Sequence, residues 1–316
     1  MPPSFVHRIT KYAPADRDER GHYTGTEEAV SDHGPLEAAY PAAIAAFAEA
    51  SGVGRLEIRD PVVATEPHFG RGPQAEGYGL GGLFPADLTG FHDGAEISLP
   101  VALELVRIML RKQGAWCRLE AGDAFTVHVG WDQYVYVGSG RPCADAVVRT
   151  RELGLFPEPV PASPYAVSPE DTEVTEPADE DFWARVRTEL AARRGLLLEE
   201  MFVGNAERWH RLTPERLDSV RAGLGPRALL TVWPDLTPDV DAALTALPEE
   251  GSSDFVWETR DGTIRHARVD ETDYPELAAL VAGARAACAL PLYVDDRHPL
   301  FRATLPDSDG VLRARW

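Results

Sequence analysis

Three short alternating runs between residues 115 and 139, AWCRLEA, AFTVHVG and QYVYVGS, constrain this chain more than any other feature. Brief turns at Gly122-Asp123 and Gly130-Trp131-Asp132 join them. Turns this short leave no room for a crossover, so the runs are expected to form an antiparallel β-meander. Side chains alternate along a strand with period two. Phe125, Val127 and Val129 therefore share one side, and Thr126 and His128 the other. In the next run Val135 and Val137 oppose Tyr134 and Tyr136. With the valines and Phe125 against a core, His128 joins the tyrosines on the second side.

The flanking elements build an α+β domain around this meander. SFVHRITKY alternates as a strand. GPLEAAYPAAIAAFAEASG reads as a helix with Leu36, Tyr40, Ile44 and Phe47 on one face, beginning near Pro41 and ending near Gly52. RLEIRD is a further strand, and residues 67 to 94, rich in Gly and Pro, read as a long loop. LPVALELVRIMLRKQG is an amphipathic helix with a Gly stop, and RPCADAVVRTRELGL a closing helix.

Residues 163 to 181 hold three prolines, many acids and no Lys or Arg, which marks a solvated linker. The predicted fold class is α+β with two domains: residues 1–162, an acidic Pro-rich linker over 163–181, and residues 182–316. The second domain is expected to be mixed α+β. It opens on a helix at DEDFWARVRTELAARRG, capped by Asp179 or Asp181. LLLEEMFVG and RALLTVWPD read as strands, and TPERLDSVRAGLG, TPDVDAALTALP and YPELAALVAGARAAC as helices. DFVWETRDGTIRHARVD is a hairpin turning at Asp261-Gly262. ALPLYVDD, LFRATLPD and GVLRARW read as short strands.

A chain of 316 residues exceeds one usual core, which agrees with two domains. No apolar run of membrane-spanning length occurs, and MPPSFVHRITKY carries no long apolar segment of a secretory signal. The three cysteines are far apart and form no CxxC pair. A cytoplasmic location is expected. The formal net charge of −20 opposes broad capture of nucleic acid and leaves room only for a local cationic patch.

Two clusters are candidate sites. His128, Trp131, Tyr134 and Tyr136 crowd one side of the meander, where aromatic faces either stack unpaired bases or pack beneath a loop. His7, Arg8, Lys11, Tyr12, His22 and Tyr23 interleave cations with aromatics near the N-terminus, a pattern that suits phosphate and base contacts. Alternation places His7, Ile9 and Lys11 on one face there and Arg8, Thr10 and Tyr12 on the other. Acids at 16, 18 and 19 argue for the plainer reading of a solvated surface.

Other chemistry is poorly supported. HExxH, HxH, CxxC and GxSxG are all absent. Asp32-His33 and His92-Asp93 are adjacent pairs that do not converge on one centre. GYGLGG at 77–82 lacks the strand and helix of a nucleotide loop. Cys143, at a helix start, reads as a small packed residue. No cofactor and no metal site are expected.

SFVHRITKYAPADRDERGHYTGTEEAVSDHG, GWDQYVYVGS and RTRELGLFPE together resemble a poorly characterised bacterial protein family commonly labelled RNA-binding protein. The resemblance covers most of residues 1 to 160 and is thin beyond the linker. It implies an RNA-binding role and offers no catalytic residue to carry over. Both candidate clusters lie within it. The expectation is a non-catalytic protein that contacts single-stranded RNA. The alternatives are an immunity or regulatory module whose acidic surface meets a basic protein, and an enzyme using the histidines near the N-terminus.

Overall fold

The computed structural model describes residues 3–20, 22–26, 30–64, 68–69, 75–130, 133–166, 175–193, 195–292, 298–314 and 316. Its fold class is α+β. The chain divides into two compact units, Met1–Val63 with Ala75–Thr172, and Ala64–Gln74 with Glu173–Trp316. Strands are numbered in chain order, and β3 (His68–Phe69) belongs to the second unit.

The first unit holds β1 (Phe5–Thr10), α1 (Pro35–Ser51), β2 (Arg55–Val63), β4 (Glu96–Ser98), α2 (Leu99–Leu110), β5 (Ala115–Ala121), β6 (Phe125–Val129), β7 (Val135–Ser139), α3 (Ala144–Glu152) and β8 (Phe156–Val160). They form a seven-stranded sheet in the order β4-β2-β5-β6-β7-β1-β8. Every neighbouring pair is antiparallel. The meander β5-β6-β7 is its centre, and β1 returns from the N-terminus to pair with β7. Two of these strands escape the sequence reading. β4 is only three residues long, and β8, FPEPV, carries two prolines that disguise it as coil. The closing element is therefore β8 and not α3. Edge strands tolerate proline because one of their sides has no partner.

α1 and α2 cover one face of the sheet, and α3 packs beside α1 and against β8. α1 begins at Pro35, six residues before the expected start. The Asp32 carboxylate accepts hydrogen bonds from the backbone N–H of Gly34, Leu36 and Glu37, at 3.0, 3.1 and 2.9 Å, and so caps the first turn. Pro41 sits inside the helix and denies the Glu37 carbonyl its intrahelical partner. Burial of Tyr40, Ala43, Ile44 and Phe47 on the inner face offsets that loss. Gly52 ends the helix in the left-handed conformation, at φ 72°.

The second unit has two sheets. One runs β11-β10-β12-β16-β9, from β11 (Ala206–Leu212), β10 (Leu196–Val203), β12 (Leu229–Pro234), β16 (Phe301–Thr304) and β9 (Glu176–Pro177). The other runs β15-β13-β14-β3, with β13 (Ser253–Glu258), β14 (Ile264–Val269) and β15 (Ala286–Pro291). Its helices are α4 (Glu180–Arg193), α5 (Leu217–Gly223), α6 (Val240–Thr245) and α7 (Tyr274–Val281). Asp179 caps α4, accepting from the N–H of Asp181 and Phe182. Leu197, Trp209 and Trp233 of the first sheet meet Val256 and Leu290 of the second. Phe255, Trp257, Ala267 and Val269 point the other way, into a core with α6 and α7.

Ion pairs, buried around Arg268 and partly exposed around Arg211, also tie these two sheets. Arg268 on β14 binds Asp254 at 3.0 Å and Glu207 on β11 at 2.9 Å. Arg211 on β11 forks onto Asp235 at 2.8 Å through two nitrogens and reaches Glu258 on β13 at 2.5 Å. The expected strand at GVLRARW does not form: residues 311–314 are irregular. Arg313 is held by Asp307 and Asp309, and the Trp316 indole donates to the Arg227 carbonyl. Of the stretch read as linker, Ser163 is buried in the first unit and Glu176 begins β9. Residues 167–174 lie outside the described residues.

Candidate functional site

The register of the large sheet lines up one residue per strand on the side away from the helices. Glu158 (β8) pairs with Arg8 (β1), Arg8 with Tyr136 (β7), Tyr136 with His128 (β6), His128 with Arg118 (β5), and Arg118 with Arg59 (β2). Neighbouring strands lie about 4.8 Å apart, so these six side chains form a continuous polar and aromatic band.

The band is built as ion pairs between rings. Arg8 donates to Glu158, and its guanidinium carbon lies 5.4 Å from the centre of the Tyr134 ring. Arg118 is buried and binds Asp60, Nε at 3.0 Å, and Glu120, Nη1 at 2.6 Å. A bulge in β2 after Arg59, with Asp60 at φ 47°, aims that acid at Arg118. Arg59 Nε stands 3.1 Å from Asp93. His128, only 3% exposed, makes a 2.7 Å hydrogen bond between Nδ1 and the Ser163 hydroxyl, and its Nε2 lies 3.8 Å from Glu120. Burial pushes the Glu120 carboxyl up, and His128 and Arg118 outweigh that and hold it below its ordinary pKa.

Two aromatic groups flank the band. Tyr12 packs at a tilt against Tyr23 and Tyr134, with ring centres 4.7 and 5.6 Å apart. Tyr165 lies 5.9 Å from both Tyr136 and Trp116, and so partly covers the sheet. Burial raises the Tyr136 pKa, with the nearby Arg8 acting against it.

The structure thus gathers Arg8, Tyr12, Tyr23, His128, Tyr134 and Tyr136 on one sheet face. Their availability differs. His128 and Tyr12 are each 3% exposed and serve as packed members of the face, while Tyr23, Tyr134 and Tyr136 are half-buried. His7 is separated from them. Alternation sends it to the opposite side, where its ring meets Phe47 of α1 at 5.3 Å. The expected polar face of His7 and Ile9 is therefore the core face of β1. Burial, with Arg151 nearby, lowers the His7 pKa. Lys11 sits at the margin, Nζ 5.5 Å from the Tyr12 ring, and His22 is exposed beside Asp18. Trp131 lies outside the described residues.

Sequence reasoning did not find Arg17, Trp116, Arg118, Glu158, Ser163 and Tyr165. Arg118 was hidden by the register: a two-residue turn at Gly122-Asp123 would set Val127 opposite it, whereas the loop holds three residues, so that Ala121 pairs with Phe125 and Arg118 with His128. Glu158 was hidden by its prolines, and Ser163 and Tyr165 by the polar composition around them.

Among the described residues, no three His, Cys, Asp or Glu side chains converge as a metal site, and no helix is long and apolar enough to cross a membrane. Cys143 is buried against Ser51 and Ser139. No family model, no curated protein and no solved structure matches the chain.

Proposed function

We propose that the first unit is a non-catalytic, cytoplasmic RNA-binding module, and that its ligand is a short single-stranded stretch. The observation that carries this reading is the placement of Arg8, Tyr134 and Tyr136 side by side on the sheet face opposite the helices. Unpaired bases stack on tyrosine rings, and a guanidinium meets phosphate or a base plane. The resemblance of residues 1 to 160 to the proteins labelled RNA-binding supports the same reading.

The net charge of −20 limits the contact to a few phosphates. Two phosphate contacts give a log–log salt slope of about −1.4 on a single strand. The test is titration of eight-residue single-stranded RNAs at two salt concentrations, with the wild type and Tyr136→Ala. Binding with a shallow slope, lost in a variant that melts like the wild type, supports the proposal. Equal binding by the folded variant defeats it.

A further inference from the structure

Arg8 and Arg17 converge on one carboxylate. Arg8 Nη2 donates to Glu158 Oε2, and Arg17 Nη2 stands 3.9 Å from the same oxygen, beyond hydrogen-bond reach. Arg8 Nε, Arg17 Nε and Arg17 Nη2 are buried with no hydrogen-bond partner among the described residues. The three side chains are 25%, 14% and 22% exposed, so solvent reaches the cluster. Two guanidiniums with spare donors therefore share one anion, which makes the spot locally cationic in an acidic chain. Buried donors left unpaired are costly, and a group with more acceptor oxygens relieves them.

We propose that Glu158 is a built-in competitor for a phosphate group. Its carboxylate holds the position between Arg8 and Arg17 that a terminal phosphate monoester of the bound strand takes. This rests on the RNA-face reading and gives that face a phosphate subsite. A phosphate monoester brings three terminal oxygens and about −1.5 to −2 charges, against two oxygens and one charge for Glu158. It can reach both guanidiniums where the carboxylate bonds only one. Arg8 also lies over Tyr134, so a phosphate held there stands beside the ring that stacks the base.

Calorimetric titration of the full chain with uridine, uridine monophosphate, inorganic phosphate and an eight-residue single-stranded RNA tests this, using wild type, Glu158→Gln and Arg17→Met. Glu158→Gln is expected to lower the melting temperature slightly, since it loses an ion pair. It should nevertheless bind the monophosphate about five- to tenfold more tightly, the gain from removing one charged competitor. Uridine should be unaffected, and Arg17→Met should weaken the phosphate-bearing probes and leave uridine as it is. A parallel gain for inorganic phosphate would show that the subsite holds the phosphate without help from the base. Unchanged or weaker monophosphate binding by Glu158→Gln overturns the proposal. If RNA still binds in a Tyr136-dependent way in that case, the RNA reading stands without this subsite. If no probe binds any variant, both fail.

Discussion

Tyr165 lies against Gly130 so closely that a Cβ added at position 130 would come within 2.8 Å of its ring. The absence of a side chain at the end of β6 is what lets Tyr165 settle over Tyr136 and Trp116. Gly130→Ala is expected to dislodge Tyr165 at a cost of about 1–3 kcal/mol, the usual range for overpacking. Chymotryptic cleavage after Tyr165 should then accelerate several-fold. An unchanged cleavage rate would show that the covering segment does not depend on this contact.

His7 makes the first unit sensitive to mild acid. Burial against α1 lowers its folded-state pKa, so between that value and about 6.5 the unfolded chain binds more protons than the folded one. Stability is therefore full above about pH 6.5 and declines as pH falls towards the folded pKa. Urea midpoints for wild type and His7→Gln between pH 7.5 and 5 test this. The difference between them should shrink or reverse at the acid end, and parallel curves would refute it.

Arg118 neutralises Asp60 and Glu120 from a buried position. Arg118→Met removes the cation that binds both carboxylates. A loss of about 2–4 kcal/mol is expected, below the fully buried limit because both acids are partly exposed. Adding Asp60→Asn should recover part of it, which chemical denaturation of the single and double variants measures.

Arg268 is the corresponding residue in the second unit, and its partners are more deeply buried: Asp254 is 1% exposed and Glu207 6%. Arg268→Met is expected to cost about 3–5 kcal/mol. Hydrogen exchange should show the loss in β13 and β14 while the amides of β6 and β7 stay protected. Equal loss of protection in both units would refute independent unfolding.

What the sequence disclosed follows from how local the signal was. The meander could be read because its turns are short and its alternation is strict, and Asp261-Gly262 marked its hairpin for the same reason. The sides of Tyr134, Tyr136 and His128 followed from period two alone. Exposure did not, because Tyr165 lies 29 residues beyond Tyr136 in sequence and only tertiary contact brings it back. His7 was misplaced because a histidine in a strand looks polar until the helix that covers it is known. β11, AERWHRL, was missed because charges interrupt its alternation, and two of those charges, Glu207 and Arg211, prove to be partners in the ion pairs between sheets.

The prolines of β8 bear on how anything can approach the first unit. β8 pairs with β1 through Phe156, Glu158 and Val160, and Pro157 and Pro159 fall on the alternate positions whose nitrogens face outward. An incoming strand would find no amide hydrogen at either place, so the row of strands stops there. Further copies of the chain cannot lengthen the sheet from that rim, and an extended peptide cannot zip onto it. A visitor to this end of the molecule has to land on the flat of the sheet, where Arg8 and the tyrosines are.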